Sequence, residues 1–326
     1  MRHLRTPRLG ALLALCALAL PFAAAAQTDA YPNKPITIVV AYPPGGSTDL
    51  TGRTFGQELS TRLGVPVVIE NVGGAGGAIG AQKVANAAPD GYTLLVGANN
   101  EVAINRLVTS AVKYKLSDFT PLGMIASQPL VLVASNSTGV KNIGEFIQRT
   151  KANPGKFSYG SSGVGTSLHL AGEMVKEQAG VFLTHIPYRG VAPLANDLLG
   201  GSLEYGVFVL SSGLPHIKSG KVVALGTTEA KRSAVTPDIP ALSEHPALKG
   251  MDMGTWFVLM GPAKMPEPVV ARLKKALGEV LQSPDFRKKM EAASSTVPTA
   301  PVDIQKFLTD ETAKYQKIVD FAKIKE

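Results

Sequence analysis

The chain has 326 residues, 45% of them hydrophobic, and a formal net charge of +8 at neutral pH. This length suits about two domains of ordinary size, and the apolar content excludes an intrinsically disordered chain. The basic residues are scattered rather than clustered with aromatic residues, which argues against a nucleic-acid-binding protein.

The first 26 residues have the composition of a cleaved secretory signal peptide. A basic start precedes a short apolar run and Ala24-Ala25-Ala26, a small-residue cleavage site before Gln27. The only cysteine, Cys16, falls inside this segment, and Leu15 before it is too large for a lipoprotein cleavage site. The mature chain is therefore predicted to be periplasmic and without disulfides or thiol chemistry, and losing three arginines lowers its formal charge from +8 to +5. No later stretch reaches the roughly 18 apolar residues of a membrane-spanning helix.

Apolar and small-residue patterns predict alternating strands and helices, beginning β-α-β-α-β. Strands are expected at residues 36–41, 65–70, 93–97, 130–134, 157–159, 183–188, 203–209, 222–227 and 255–260. Helices are expected at residues 50–63, 81–87, 144–151, 168–178, 194–199, 267–282, 284–292 and 302–322. This alternation is typical of an α/β fold, in which ligands collect at the carboxyl ends of parallel strands.

The first predicted strand and helix are joined by Tyr42-Pro43-Pro44-Gly45-Gly46-Ser47-Thr48-Asp49. A glycine-rich turn that leads into a helix presents backbone N–H groups at the helix N-terminus, which is a favourable site for a carboxylate. Ser47, Thr48 or Asp49 is expected to cap this helix, and Gly64 to end it. An ordinary capped turn without a ligand is equally compatible with these eight residues.

Three later loops have a similar character. Residues 71–80 are rich in glycine, Asn99-Asn100-Glu101 follows the third strand, and the small residues 160–167 precede the helix at 168–178. Two interpretations of Glu101 remain open. A carboxylate facing a pocket would disfavour a second ligand carboxylate and favour an amino or aromatic nitrogen group, whereas a solvated carboxylate in a first helical turn would be stabilised by the helix dipole.

No motif for catalysis, nucleotide binding or metal binding is found. The glycine runs fit neither G-x-G-x-x-G nor the P-loop pattern, and G-x-S-x-G is missing. The histidines of the mature chain are far apart in the sequence and have no cysteine beside them: His169, His185, His216 and His245. Each is therefore interpreted as a surface or hydrogen-bonded structural residue, and no metal, cofactor or enzymatic activity is predicted.

Short motifs recur along the whole mature chain. They are Tyr31-Pro32-x-Lys34-Pro35-Ile36, Pro44-Gly45-Gly46-x-x-Asp49 with Arg53, Glu70-Asn71-x-x-Gly74-Ala75-Gly76-Gly77, Pro89-Asp90-Gly91-Tyr92-Thr93-Leu94, Ala103-Ile104-Asn105, Tyr159-Gly160-Ser161-x-Gly163-x-Gly165-x-Ser167-x-His169-Leu170-Ala171-Gly172-Glu173, Pro187-Tyr188-x-Gly190-x-Ala192-Pro193 and Asp197-Leu198-Leu199-Gly200-Gly201. In these motifs the chain resembles the extracytoplasmic solute receptors of tripartite tricarboxylate transporters, the Bug-type binding proteins. It departs from the family pattern at Arg106, where proline is usual, and at Tyr42, where phenylalanine is common.

The resemblance implies an α/β, two-domain type II periplasmic binding protein fold with the ligand cleft between the domains. Domain 1 is expected at residues 27–128 plus 249–326 and domain 2 at 129–248, with the hinge near 128 and 248. The expected protein is a monomeric receptor that binds a small organic carboxylate and delivers it to the membrane permease subunits of the transporter. The candidate ligand-binding residues are Tyr42, Pro44, Gly45, Gly46, Ser47, Thr48, Asp49, Asn99, Asn100, Glu101, Ser161, Ser162, Thr166, Tyr188 and Asp197.

Two other classes of protein remain open from the sequence. One is a ligand-sensing module that signals to a membrane sensor kinase. The other is an exported serine-dependent hydrolase with Ser161 or Ser162 as nucleophile. The ligand is also open, because dicarboxylates, aromatic acids, amino acids and pyridine carboxylates all offer a carboxylate to backbone amides.

Overall fold

The computed structural model describes residues 31–324, so the predicted signal peptide lies outside the described residues. The strands are β1 (Ile36–Val40), β2 (Val67–Asn71), β3 (Thr93–Ala98), β4 (Phe119–Ser135), β5 (Ser158–Ser161), β6 (Thr184–Pro187), β7 (Tyr205–Val209), β8 (Val222–Thr227) and β9 (Gly254–Pro262). The helices are α1 (Ser47–Leu63), α2 (Ala78–Ala85), α3 (Asn105–Val108), α4 (Ile143–Ala152), α5 (Ser167–Ala179), α6 (Val191–Gly200), α7 (Leu210–Lys218), α8 (Glu267–Leu281), α9 (Pro284–Ala292) and α10 (Ile304–Ala322).

The strands follow the order β2-β1-β3-β9-β4-β7-β5-β6, and β8 also pairs with β4. The outer pairs β1/β2, β1/β3, β5/β6 and β5/β7 are parallel, whereas β9 and β4 run antiparallel to their neighbours in the middle. The loops after β1, β2 and β3 therefore meet at one edge, and the loops after β5 and β6 meet at another. These are the loops in which the sequence places its candidate residues.

Strand β4 joins the two groups of strands. Its first part pairs with β9 and its last residues pair with β7 and β8. One buried apolar cluster extends across both groups and contains Val39, Leu130, Tyr159 and Tyr315. The shared strand and the shared apolar cluster connect the two groups of strands that carry these two sets of loops.

Most predicted elements are present, with ends shifted by a few residues. Helix α1 ends at Leu63, and Gly64 takes a left-handed conformation (φ +72°) as expected for a C-terminal cap. Strand β8 and helix α9 have the predicted bounds.

One expectation about the elements is wrong, and one helix is not predicted. Strand β4 begins at Phe119 rather than at residue 130, because its first half contains Pro121 and Gly123, which weaken the strand signal but lie at irregular positions in the pairing with β9. Helix α7 has no counterpart among the predicted elements, because nothing is predicted between the strands at residues 203–209 and 222–227. Among residues 31–324, no helix is both long and apolar enough to cross a membrane.

Candidate functional site

The carboxylate of Asp49 fixes the shape of the loop between β1 and α1. It is 4% exposed. Its two oxygens accept hydrogen bonds from the Gly45 amide at 2.9 Å, Arg53 Nε at 3.0 Å and Asn71 Nδ2 at 2.8 Å. Burial acts to raise the pKa of Asp49, but these bonds outweigh burial and lower it. Asp49 is therefore an ionised internal support of the loop.

The start of α1 differs from the capping expected from the sequence. Gly46 holds the N-cap position, and neither Ser47 nor Thr48 caps the helix with its side chain. The Gly45 amide is already bonded to Asp49, so it is not available to a ligand in this arrangement. Within residues 31–324, no acceptor pairs with the amides of Gly46, Ser47 and Thr48. These three donors lie at the positive end of the α1 dipole, beside the exposed Pro44.

Glu101 lies in the protein interior beneath this loop. Its side chain is 0% exposed. One oxygen accepts a hydrogen bond from the Tyr42 hydroxyl at 2.6 Å, and the other accepts one from the Ala98 amide at 2.6 Å. Burial raises the pKa of Glu101 to about 7, although both bonds oppose the rise. The interpretation of Glu101 as a solvated carboxylate is wrong, since it has no contact with solvent. Direct contact with a ligand stays a prediction for both Glu101 and Tyr42.

The two asparagines after β3 have different roles. Asn99 is 1% exposed, and its Nδ2 donates to Gly254 O at 3.1 Å and to the Tyr315 hydroxyl at 3.2 Å. Asn100 instead accepts a hydrogen bond from the Ser167 amide at the start of α5, at 2.9 Å. Asn99 thus ties its loop to β9 and α10, whereas Asn100 ties the same loop to the other group of strands.

Two stacked histidines brace the loop after β5. The rings of His169 and His185 are parallel, with centroids 3.7 Å apart. His185 Nε2 is hydrogen-bonded to Ser161 Oγ at 2.7 Å, and His169 Nδ1 accepts from the Gly165 amide at 3.0 Å. Burial lowers the pKa of His169 to about 4 and that of His185 to about 3, so both rings are neutral near pH 7. Their separation in the sequence concealed this pair, which forms because α5 packs over β5 and because β5 and β6 are neighbours.

The hydroxyls of this loop are mostly engaged within the protein. Ser161 is 0% exposed. Thr166 caps α5, since its hydroxyl oxygen accepts from the His169 amide at 3.3 Å. Ser162 is half-buried and therefore more accessible than Ser161. Buried Ser161, bonded to a neutral histidine, shapes the loop and is closed to an external substrate.

Tyr188 and Asp197 form a pair at the edge of the same loop. The Tyr188 hydroxyl donates to Asp197 Oδ2 at 2.8 Å, and the Tyr188 amide donates to Ser161 O at 3.0 Å. Burial, followed by the nearby Asp197 carboxylate, raises the pKa of Tyr188 to about 12. Asp197 itself is exposed on α6. The pair therefore continues the loop surface that begins at Ser162.

The structure thus brings the candidate residues together in two groups. Asn100 joins these groups through Ser167. Asp49, Asn99, Glu101 and Ser161 are buried and support the loops, whereas the amides of Gly46, Ser47 and Thr48 have no acceptor within residues 31–324. Within residues 31–324, no cluster of three or more metal-ligating side chains is present.

A sequence model of the family described as "Tripartite tricarboxylate transporter family receptor" matches residues 52–324. Protein BugT of Bordetella pertussis is 32% identical to this chain over 316 residues, which covers 95% of each protein. The match therefore extends over almost the whole of both chains.

Three solved structures have the same fold. The protein Rpa4515 of R. palustris with adipate has a TM-score of 0.83 and 31% identity, covering 90% of this chain and 99% of that one. The periplasmic binding protein BugD has a TM-score of 0.80 and 33% identity, covering 90% and 99%. MatC of Rhodopseudomonas palustris with bound malate has a TM-score of 0.79 and 29% identity, covering 89% and 100%. The predicted two-domain α/β fold of the periplasmic binding proteins is confirmed.

Proposed function

We propose that this chain, which belongs to the tripartite tricarboxylate transporter family of receptors, captures a small organic carboxylate in the periplasm and delivers it to membrane permease subunits. The family and the similar structures are solute receptors rather than enzymes, and the chain is accordingly a solute-binding receptor. The carboxylate ligand, the export and the permease partner are the parts of this function that are proposed.

The proposal of a carboxylate ligand rests on the unpaired amides of Gly46, Ser47 and Thr48 at the start of α1. They are fixed in place by buried Asp49, whose charge is balanced by Arg53. A carboxylate placed there gains charge-assisted hydrogen bonds and a favourable interaction with the helix dipole. Two proteins of the same fold hold adipate and malate, both of them small carboxylates.

The second group of strands supplies the opposite wall in this proposal. Ser162, Thr166 and Tyr188 lie on its loops, and Asn100 reaches it through the Ser167 amide. We place the domain division at residues 128 and 249, so that closure of two domains about β4 and β9 sequesters the ligand. The receptor acts as a monomer, and residues 1–26 direct its export and are then removed.

A thermal-shift screen tests whether the ligand is a carboxylate. The mature chain is first unfolded and refolded to remove any bound ligand. The panel contains C4 to C8 dicarboxylates, aromatic acids, acidic amino acids and pyridine carboxylates, each beside its uncharged amide. A ligand at about 100 times its Kd adds roughly 2.7 kcal/mol to the free energy of unfolding. We expect an acid to stabilise the protein and its amide to have no effect. Equal shifts with both, or no shift with any acid, would contradict the proposal.

Uptake of the labelled acid by cells tests whether the receptor delivers its ligand to the permease subunits. Cells that carry the membrane subunits of a tripartite tricarboxylate transporter from the same organism are compared with and without the receptor. Uptake is expected only when both are present. Uptake that is independent of the receptor would leave the binding result intact and refute the delivery role.

A further inference from the structure

We infer that the protein has a second small-molecule site, which binds an aromatic or alicyclic monocarboxylate, in a pocket between α2, the segment 105–114 and the loop after β5. The pocket has a volume of about 580 Å³. Such a volume is within the usual range for small-molecule sites. We call it the apolar pocket, and its lining residues used below are Ile79, Val108, Val112, Lys113 and Val164.

The apolar pocket is separate from the start of α1. Its lining includes Ala75 and Gly76 but no residue of the segment Pro44–Asp49. The turn 73–77 stands between them, because a Cβ on Gly73 would lie 3.1 Å from Pro43 Cδ on one side while Gly76 lines the pocket on the other. A ligand in the apolar pocket therefore leaves the amides of α1 accessible.

Large apolar side chains are exposed around the pocket. Ile79 is 53% exposed and Val164 is 39% exposed. Val108 and Val112 also line the pocket, and a Cβ on Gly165 would lie 2.7 Å from Val108 Cγ2. Covering these side chains with the apolar body of a ligand removes their surface from water, which favours binding.

The charge of the pocket selects an anion. Lys113 is the charged residue of the lining, and no acidic residue is included. Within residues 31–324, no carboxylate lies within 4 Å of its ammonium group. Lys113 Nζ donates one hydrogen bond to Ser110 O at 2.9 Å, so two N–H donors remain for a carboxylate. One cation beside an apolar wall matches one carboxylate on an apolar body.

The pocket also depends on the arrangement of the two groups of strands. Val164 belongs to the loop after β5, whereas Ile79 and Val112 belong to the first group. A ligand that contacts both walls stabilises the arrangement in which they lie together. Occupancy of the apolar pocket and occupancy of the α1 loop are therefore coupled through the same arrangement.

Calorimetric titration of the mature chain with benzoate and cyclohexanecarboxylate tests the inference. Two further compounds serve as controls: benzyl alcohol lacks the charge, and acetate lacks the apolar body. Four proteins are compared: wild type, Lys113→Met, Lys115→Met and Ser47→Pro. Lys115 is an exposed lysine two residues away that does not line the pocket. Ser47→Pro removes one α1 amide at a helix position where proline is tolerated.

We expect both monocarboxylates to bind the wild type and acetate and benzyl alcohol to bind at least tenfold more weakly. Lys113→Met should weaken binding by roughly tenfold, as expected for loss of a hydrogen bond to a charged group, while Lys115→Met leaves it unchanged. No binding to the wild type overturns the inference. So does weaker binding in Ser47→Pro with normal binding in Lys113→Met, because the acid would then occupy the α1 loop. Concentration-dependent self-association that Ile79→Gln abolishes would assign the pocket to a second copy of the chain and also overturns it.

Discussion

The side-chain oxygen of Asn100 accepts a hydrogen bond from the Ser167 amide at 2.9 Å, and this bond joins the loop after β3 to the first turn of α5. It satisfies one of the unpaired N–H groups at the start of α5. The bond therefore connects the two groups of loops that the proposed ligand would contact.

Asn100→Ala should weaken carboxylate binding by roughly two- to tenfold, the effect of losing one ordinary hydrogen bond that forms when the loops lie together. Asn100→Asp is the matched control, since it keeps an acceptor oxygen and adds a charge favoured at a helix N-terminus. Calorimetry with the best acid of the panel measures both. If Asn100→Ala binds as tightly as wild type, the bond has no role in holding the liganded arrangement.

Asp49→Ala should lower the free energy of unfolding by about 1–3 kcal/mol and abolish most carboxylate binding. The change leaves the Gly45 amide and the Arg53 and Asn71 donors without their shared acceptor. Urea unfolding measures the first effect and calorimetry the second. Asp285→Ala, which breaks an exposed ion pair with Lys289 on α9, is the control. Similar losses in both variants would show that Asp49 has no special role in the loop.

Glu101→Gln should change the pH dependence of stability. Because the folded pKa of Glu101 is raised from 4.5 to about 7, the native state holds this proton more tightly than the unfolded state. The contribution of protonated Glu101 to the free energy of unfolding is complete below pH 4.5. It is lost as the pH rises towards 7, by on the order of 3 kcal/mol. The glutamine side chain still offers hydrogen-bond partners to Tyr42 and Ala98 but does not titrate. The difference between the two stability curves should decline over this window, and a flat difference would contradict the raised pKa.

His169 and His185 should remain neutral down to about pH 5 in NMR titrations of their ring protons. Burial lowers their pKa values from 6.5 to about 4 and about 3, so the unfolded state binds more protons below pH 6.5. Their contribution to stability is complete above pH 6.5 and is lost as the pH falls from 6.5 towards the folded pKa values of about 4 and about 3. Titration of either ring near pH 6.5 would show that the stack does not persist in solution.

The sequence predicts the loop at the start of α1 well because its signals are local. A β-branched run, two glycines and the C-terminal Gly64 are enough to define a strand, a turn and a helix. Tertiary contacts decide which backbone amides of this loop are hydrogen-bonded within the protein. The Gly45 amide is occupied only because Asn71, on another strand, and Arg53 help to hold Asp49 in place.

The features that the sequence misses depend on packing across the chain. Glu101 is followed by apolar residues that suit either an exposed turn or a core, and only the positions of Tyr42 and Ala98 decide between them. Helix α7 contains Gly213 and Pro215, whose local preference is overridden by packing against β4 and β7. The histidine stack joins residues 16 positions apart, which no spacing rule connects.

Calorimetric titration of the best acid into wild type, Ser47→Pro and Ser47→Ala tests the central claim that the α1 amides hold a carboxylate. The preceding Gly46 is already extended (φ −81°, ψ 174°), so a proline at position 47 keeps the helix and removes one N–H donor. Ser47→Ala removes the hydroxyl and keeps that donor. We predict about tenfold weaker binding in Ser47→Pro, near-wild-type binding in Ser47→Ala, and similar melting temperatures for all three proteins. Equal affinities in Ser47→Pro and Ser47→Ala would contradict it and place the carboxylate elsewhere.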